Sequence, residues 1–138
     1  MNELSTSTLS ELIAKRRKCL TQLREIGLRQ GELVAAGNMS DLLRLCGAKQ
    51  QLIVAMQALE SQLAPFQNED PERRVWASTE ARGRCADDAE ACRLLVQEVM
   101  AMEQAGERQM TVWRGDVAHQ LRSVNSAGRV RDAYQANK

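Results

Sequence analysis

Two leucine-rich stripes with helical spacing, separated by a short polar break, most constrain how this chain folds. The first stripe advances in alternating steps of three and four residues and holds Leu, Leu, Arg, Cys, Leu, Ile, Gln and Leu at positions 9, 12, 16, 19, 23, 26, 30 and 33. The second holds Leu, Leu, Lys, Leu, Met, Leu, Leu and Phe at positions 42, 45, 49, 52, 56, 59, 63 and 66. Such spacing is typical of helices that pack in a bundle or coiled coil.

The break between the stripes predicts a reversal of the chain. Leu33 and Leu42 are nine residues apart, so the seam does not continue in phase. Gly37 suits the position after a helix end, and Asn38 or Ser40 can cap the next helix. A short connection between amphipathic helices favours an antiparallel hairpin, and a single kinked helix is the alternative.

The hairpin also predicts a register. If the chain turns near Asn38, Arg16 of the first seam lies opposite Glu60 of the second helix. We therefore expect an ion pair between these two residues.

The remaining elements are predicted from start signals. Thr8 and Glu11 have the spacing of a capping box. Asp70 and Pro71 mark either a short helix or the start of the third helix, and Ser78 is a further cap. The expected class is all-α, an antiparallel hairpin plus a long third helix in a coiled-coil-like three-helix bundle. The expected division of one domain, 1–138, is helix 8–36, helix 40–64, connector 65–77, helix 78–123 and flexible tail 124–138.

Charge and composition exclude several classes of partner. The formal net charge is +1, which argues against duplex DNA or an anionic membrane as a partner. The amino terminus lacks the basic start and apolar core of a signal peptide, and no apolar run approaches a membrane span. We expect a cytoplasmic protein without nucleic-acid binding or membrane insertion.

The four cysteines, at positions 19, 46, 85 and 92, do not have the spacing of a zinc site or a disulfide framework. We expect four free, buried thiols in a reducing compartment. The single histidine, His119, is expected to be a surface or packing residue. No spacing indicates a nucleophile, a phosphate loop, a metal site or a cofactor, so we expect no enzyme.

The third helix supplies the candidate partner-binding residues. Both hairpin helices lack aromatic residues, and large aromatic side chains carry much of the binding energy at interfaces. The third helix is predicted to carry an apolar stripe at positions 92, 95, 99, 102, 106, 110, 113, 117, 121 and 124. The part of this stripe around Trp113 could dock a partner helix; the alternative is that it packs on the hairpin. The candidate partner-binding residues are Met110, Trp113, Val117, Leu121, Val124, Val130 and Tyr134.

The hairpin sequence resembles the FlgN-like flagellar export chaperones. The similarity spans Leu20 to Glu60 and is carried by the helix end "LVAAGN", the following "DLLRL", Lys49 and the closing Leu59-Glu60. It implies a small cytoplasmic helical protein that binds hook–filament junction proteins, which are secreted flagellar hook-associated proteins, before type III export. It also implies that the carboxy-terminal amphipathic helix carries much of the binding.

The leading expectation is thus an export chaperone or adaptor that keeps amphipathic segments of its cargo soluble. The alternative is a structural coiled-coil module that forms a homodimer and has no cargo. An enzyme or a nucleic-acid binder is a third, less favoured class.

Overall fold

The computed structural model describes the backbone of residues 5–136 and the side chains of residues 5–111, 115 and 119. Three α-helices and two short 3-10 helices make up the described chain, and no strand occurs within residues 5–136. In chain order they are α1 (Thr6–Ala36), α2 (Met39–Leu63), the 3-10 helices Ala64–Asn68 and Pro71–Arg73, and α3 (Thr79–Ala136). The predicted all-α three-helix class is confirmed.

The corner between α1 and α2 is a true chain reversal. Gly37 adopts φ 68° and ψ 21°, a left-handed conformation that glycine reaches without a side-chain clash. Its N–H donates back to the carbonyls of Leu33 and Val34, which closes α1. The side chain of Asn38 then accepts a hydrogen bond from the N–H of Asp41 at 3.2 Å, which starts α2. The hairpin is confirmed, and the single kinked helix is wrong.

The start of α1 differs from the predicted one. The helix is capped by Ser5, whose hydroxyl accepts from the N–H of Thr8, so the capping box at Thr8 is not used. The earlier start has a tertiary cause, because the hydroxyl of Thr6 donates to the carbonyl of Val75 at 2.7 Å. This bond fixes the first turn of α1 against the connector.

The connector covers one end of the bundle. Asp70 caps a short 3-10 helix by accepting from the N–H of Glu72, so the first of the two predicted alternatives is correct. The hydroxyl of Ser78 accepts from the N–H of Ala81 at 3.0 Å at the start of α3. Phe66 is buried in a cluster with apolar residues of α1 and α3, so the connector contributes to the core.

The core is centred on α1, which packs against both other helices. Six of its residues are buried, whereas Leu42 is the single buried residue of α2. One buried cluster comprises Leu9, Leu12, Phe66 and Cys85, and a second comprises Leu20, Leu23 and Cys92. Because α1 has neighbours on two sides, its buried stripe is wider than that of α2.

Cys46 corrects the prediction of four buried thiols. All four cysteines are free, and Cys19, Cys85 and Cys92 are buried, but Cys46 is exposed. The reason is that α2 packs chiefly on α1, so its buried stripe is narrow. Cys46 lies about 100° around the helix from Leu45 and falls outside that stripe.

The end of α3 also differs from the predicted one. The helix continues to Ala136, past the predicted end at residue 123 and through most of the predicted flexible tail, 124–138. No proline follows Pro71, and the later residues include the good helix formers Ala, Arg and Gln. The lone Gly128 costs only about 1 kcal/mol relative to alanine, which does not by itself end a helix. Residues 137–138 lie outside the described chain.

Candidate partner-binding surface on α3

The two long helices α1 and α3 run parallel, and ion pairs fix their register. Arg17 of α1 lies 2.7 Å from Asp88 of α3, and Arg24 lies 2.7 Å from Glu98. Residue numbers therefore rise together along both helices. Lys49 of α2 forms an ion pair with Glu103 of α3, which holds the hairpin to α3 from its second side.

One apolar face of α3 packs against α1. Cys92 is 1% exposed, and its thiol lies 3.7 Å from the carbonyl of Ile13. Leu95, Val96 and Val99 are partly buried against the same cluster. The predicted stripe of α3 is therefore in contact with the hairpin over this part of its length.

Two glycines let the helices approach closely farther along. A Cβ atom added at Gly27 of α1 would lie 2.9 Å from the Sδ atom of Met102. A Cβ atom added at Gly106 of α3 would lie 3.2 Å from the amide nitrogen of Gln30. The Gly106 position on the predicted stripe is thus explained by a side chain of α1 that lies against it.

The hairpin ends before α3 does. Gly31 lies beside Gln109, which sets an offset of about 78 residues between the two helices at this point. At the same offset Ala36, the last residue of α1, is level with about residue 114. The backbone of α3 continues as helix to Ala136, roughly 20 residues or about 30 Å farther. The last part of α3 therefore has no counterpart in α1.

The predicted site residues fall on both sides of this limit. Met110 is partly buried. The backbone at 113, 117, 121, 124, 130 and 134 belongs to α3, and the side chains of Trp113, Val117, Leu121, Val124, Val130 and Tyr134 lie outside the described set. Their role in partner binding stays a prediction.

Exposed side chains locate the opposite face of this segment. Thr111, Gly115 and His119 are exposed and follow one another at steps of four residues. On a helix with 100° per residue, positions 113, 117, 121 and 124 lie on the side away from them and continue the face that carries Met110. Positions 130 and 134 fall on a different face from that stripe.

The bundle end near Arg16 carries the clearest electrostatic effects. Burial disfavours the charged form of Arg16, but its hydrogen bond and charge interaction with Glu60 outweigh this and raise the pKa of its guanidinium. For the Cys92 thiol, burial raises the pKa, and the charge and hydrogen bond of Arg16 offset part of this effect. A cavity of about 310 Å³ lies between these residues, Leu63 and Phe66. A buried thiol with a raised pKa is a weak nucleophile near neutral pH.

The sequence patterns did not predict a second exposed apolar surface, which lies on α2. Leu43 and Val54 of α2 are 65% and 55% exposed. The signal that could have found it is the absence of any charged residue between Lys49 and Glu60.

Within the described residues, no helix combines the length and the apolar character needed to cross a membrane. In the same part of the chain, no group of three or more His, Cys, Asp or Glu side chains could hold a metal ion. In comparisons with known proteins, no family model, no curated protein and no solved structure matches this chain.

Proposed function

We propose that this protein is a cytoplasmic export chaperone or adaptor for secreted flagellar proteins of the hook–filament junction. It binds an amphipathic segment of its cargo and keeps that segment soluble before type III export. It acts by binding and release, without catalysis.

The observation that carries the proposal is the continuation of the α3 stripe beyond the end of α1. Up to Gly106, this face of α3 lies against α1. The same spacing continues through 113, 117, 121 and 124, at and beyond the level of Ala36. An amphipathic helix of the cargo would occupy the place against α3 that α1 occupies lower in the bundle.

The sequence resemblance of the hairpin supports the proposed nature of the cargo. The segment from Leu20 to Glu60 resembles the FlgN-like export chaperones, and the corner at Gly37 and Asn38 that carries part of this likeness is a tight helix reversal. An export cargo exposes terminal segments that later pair during assembly. Such segments need a partner with a matching apolar face and an interface small enough to release them.

The experiment that tests the proposal is a truncation series in a capture assay. The full chain, a chain ending at Gln109 and a chain ending at Asn125 are immobilised and mixed with the hook–filament junction proteins of the same source. We expect the full chain to capture at least one of them, the chain ending at Asn125 to retain capture through the 110–124 stripe, and the chain ending at Gln109 to lose it.

The shorter chains remain informative because the α1–α3 contacts described above lie before residue 110. Ending the chain at Gln109 removes 27 of the 114 α-helical residues, so the helical circular dichroism signal should fall by about a quarter. Capture by the chain ending at Gln109 as strong as that by the full chain would move the binding site to the hairpin. Failure of the full chain to capture any of these proteins would contradict the proposed function.

A further inference from the structure

The solvent-facing side of α2, here called the outer α2 face, is unusual for an exposed helix surface. It comprises Leu43, Cys46, Gly47, Gln50, Val54, Gln57 and Ala58, all of them exposed. Exposed helix faces are normally charged. None of these seven residues is charged. Of the charges at the edges of the face, Lys49 pairs with Glu103 and Glu60 pairs with Arg16. The exposed Arg44 lies 3.9 Å from Asp41 of its own helix.

Gly47 is the second unusual feature of this face. Glycine inside a helix costs up to about 1 kcal/mol relative to alanine. Within the protein nothing lies within 4 Å of a Cβ atom added at Gly47, so the fold itself does not need a glycine there. A missing side chain on an exposed helix does allow another backbone or a large side chain to approach closely.

We propose that the outer α2 face binds the same face of a second copy of this chain, with the two α2 helices antiparallel. The twofold axis passes between the levels of Gln50 and Gln51. In this register Val54 of each copy fills the notch at Gly47 of the other. Leu43 of each copy likewise packs over Ala58 of the other.

Size matching argues for a second copy as the occupant. Leu43 and Ala58 lie at equal distances on either side of the point between Gln50 and Gln51, and so do Gly47 and Val54. A single antiparallel register about that point therefore places each larger residue opposite a smaller one. A twofold interface requires this self-complementarity. Leu43, Gly47, Gln50, Val54 and Ala58 also follow at steps of four, three, four and four, which keeps them on one side of the helix.

The polar residue at the centre fits the same arrangement. Gln50 lies next to the twofold axis, where its amide can donate to and accept from Gln50 of the second copy. The residues that make up the face carry no charge, and the exposed Arg44 lies at its edge, where its side chain can stay in solvent. The contact spans about 23 Å of helix, from Leu43 to Ala58. Such a small interface belongs to the low end of specific interfaces, so the dimer should be weak and reversible.

This inference is independent of the proposed chaperone function. The interface uses no residue of α3, so a dimer leaves the carboxy-terminal part of α3 available to a cargo. The dimer and the cargo site can therefore be tested separately.

The test is the oligomeric state of the full chain by sedimentation equilibrium, under reducing conditions because Cys46 is exposed. Loading concentrations should run from about 1 µM to about 1 mM, which covers weak interfaces. Val54→Lys is the disrupting variant. Leu94→Lys is the matched control, because Leu94 is 52% exposed on α3 and Val54 is 55% exposed on α2.

We expect the unmodified chain and Leu94→Lys to dimerise with the same dissociation constant, and Val54→Lys to raise that constant at least about tenfold. Gly47→Leu should weaken the dimer as well, because it fills the notch while meeting nothing in its own chain. Circular dichroism checks that each variant stays folded.

Three results would overturn the inference. One is an unmodified chain that remains monomeric to about 1 mM, which would leave the face to a different protein. The second is a dimer that Val54→Lys and Gly47→Leu leave intact. The third is a dimer that Leu94→Lys disrupts equally, which would place the interface elsewhere.

Discussion

The Nε atom of Arg16 in α1 lies 2.5 Å from the Oε1 atom of Glu60 in α2, although 44 residues separate them in the chain. Arg16 occupies a seam position where a leucine would otherwise pack, and its side chain is 24% exposed. The ion pair thus satisfies a partly buried charge at the predicted hairpin register. It lies at the end of the bundle that Phe66 closes.

Loss of Glu60 should destabilise the fold. In Glu60→Gln the partly buried guanidinium of Arg16 keeps its desolvation but loses its counter-charge. Because Glu60 is 46% exposed, solvent screens the pair, and we expect the free energy of unfolding to fall by only about 1 kcal/mol. Urea denaturation measures the change. Glu32→Gln is the control, since the pair of Glu32 with Arg29 is exposed on both sides. Equal effects of the two substitutions would contradict the role of the Arg16–Glu60 pair.

Replacing a glycine with leucine should lower the stability at Gly27, where α1 and α3 approach closely, and raise it at Gly83, where nothing lies nearby. In Gly27→Leu the new side chain meets Met102, so the Met102 side chain or the two helices must shift, at a cost of about 1–3 kcal/mol. In Gly83→Leu nothing lies within 4 Å of the added Cβ, and the higher helix propensity of leucine should raise stability by up to about 1 kcal/mol. Thermal unfolding of both variants measures the difference. A melting temperature for Gly27→Leu above that of the unmodified chain would contradict the described α1–α3 packing.

The buried thiols predict a loss of stability in alkaline solution. Burial raises the pKa values of Cys19 and Cys92 in the folded protein, whereas an unfolded thiol ionises near pH 8.5. Below pH 8.5 the folded and the unfolded protein both hold these two protons. The contribution of the two buried thiols to the free energy of unfolding is then fully present. As the pH rises above this value, the unfolded state releases protons that the folded state keeps, so the free energy of unfolding falls. The slope approaches about 1.4 kcal/mol per pH unit for each thiol until the folded pKa is reached.

Denaturation at a series of pH values between about 8 and 10 measures that slope. The double variant Cys19→Ala with Cys92→Ala should have a shallower slope than the unmodified chain, whatever its absolute stability. A slope unchanged by the double variant would show that other groups cause the alkaline loss.

The elements set by local signals could be predicted from the sequence. The corner at Gly37 and Asn38 depends on a left-handed glycine and a side-chain cap, both of which are properties of the residues themselves. The pairing of Arg16 with Glu60 then follows from the position of the corner. The start of α1 could not be predicted, because a contact of Thr6 with the distant Val75 favours it.

Surface and core were harder to separate from sequence. The exposure of Cys46 depends on how many neighbours α2 has, and periodicity alone does not reveal that number. The same holds for the α3 stripe. The stripe belongs to the core at Cys92. Its continuation beyond residue 110 is a candidate binding surface because α3 extends past the end of α1, and the sequence does not give the relative lengths of the two helices.

The most direct test of the central claim is the affinity of the full chain for a hook–filament junction protein that it captures, measured by isothermal titration calorimetry with two variants. One carries Val117→Glu and Leu121→Glu on the continued stripe, and the other carries His119→Glu on the opposite, exposed face. We predict that the double variant raises the dissociation constant at least about tenfold, because charges enter an apolar contact, while His119→Glu leaves it unchanged. Equal affinity of the double variant and the unmodified chain would contradict the account.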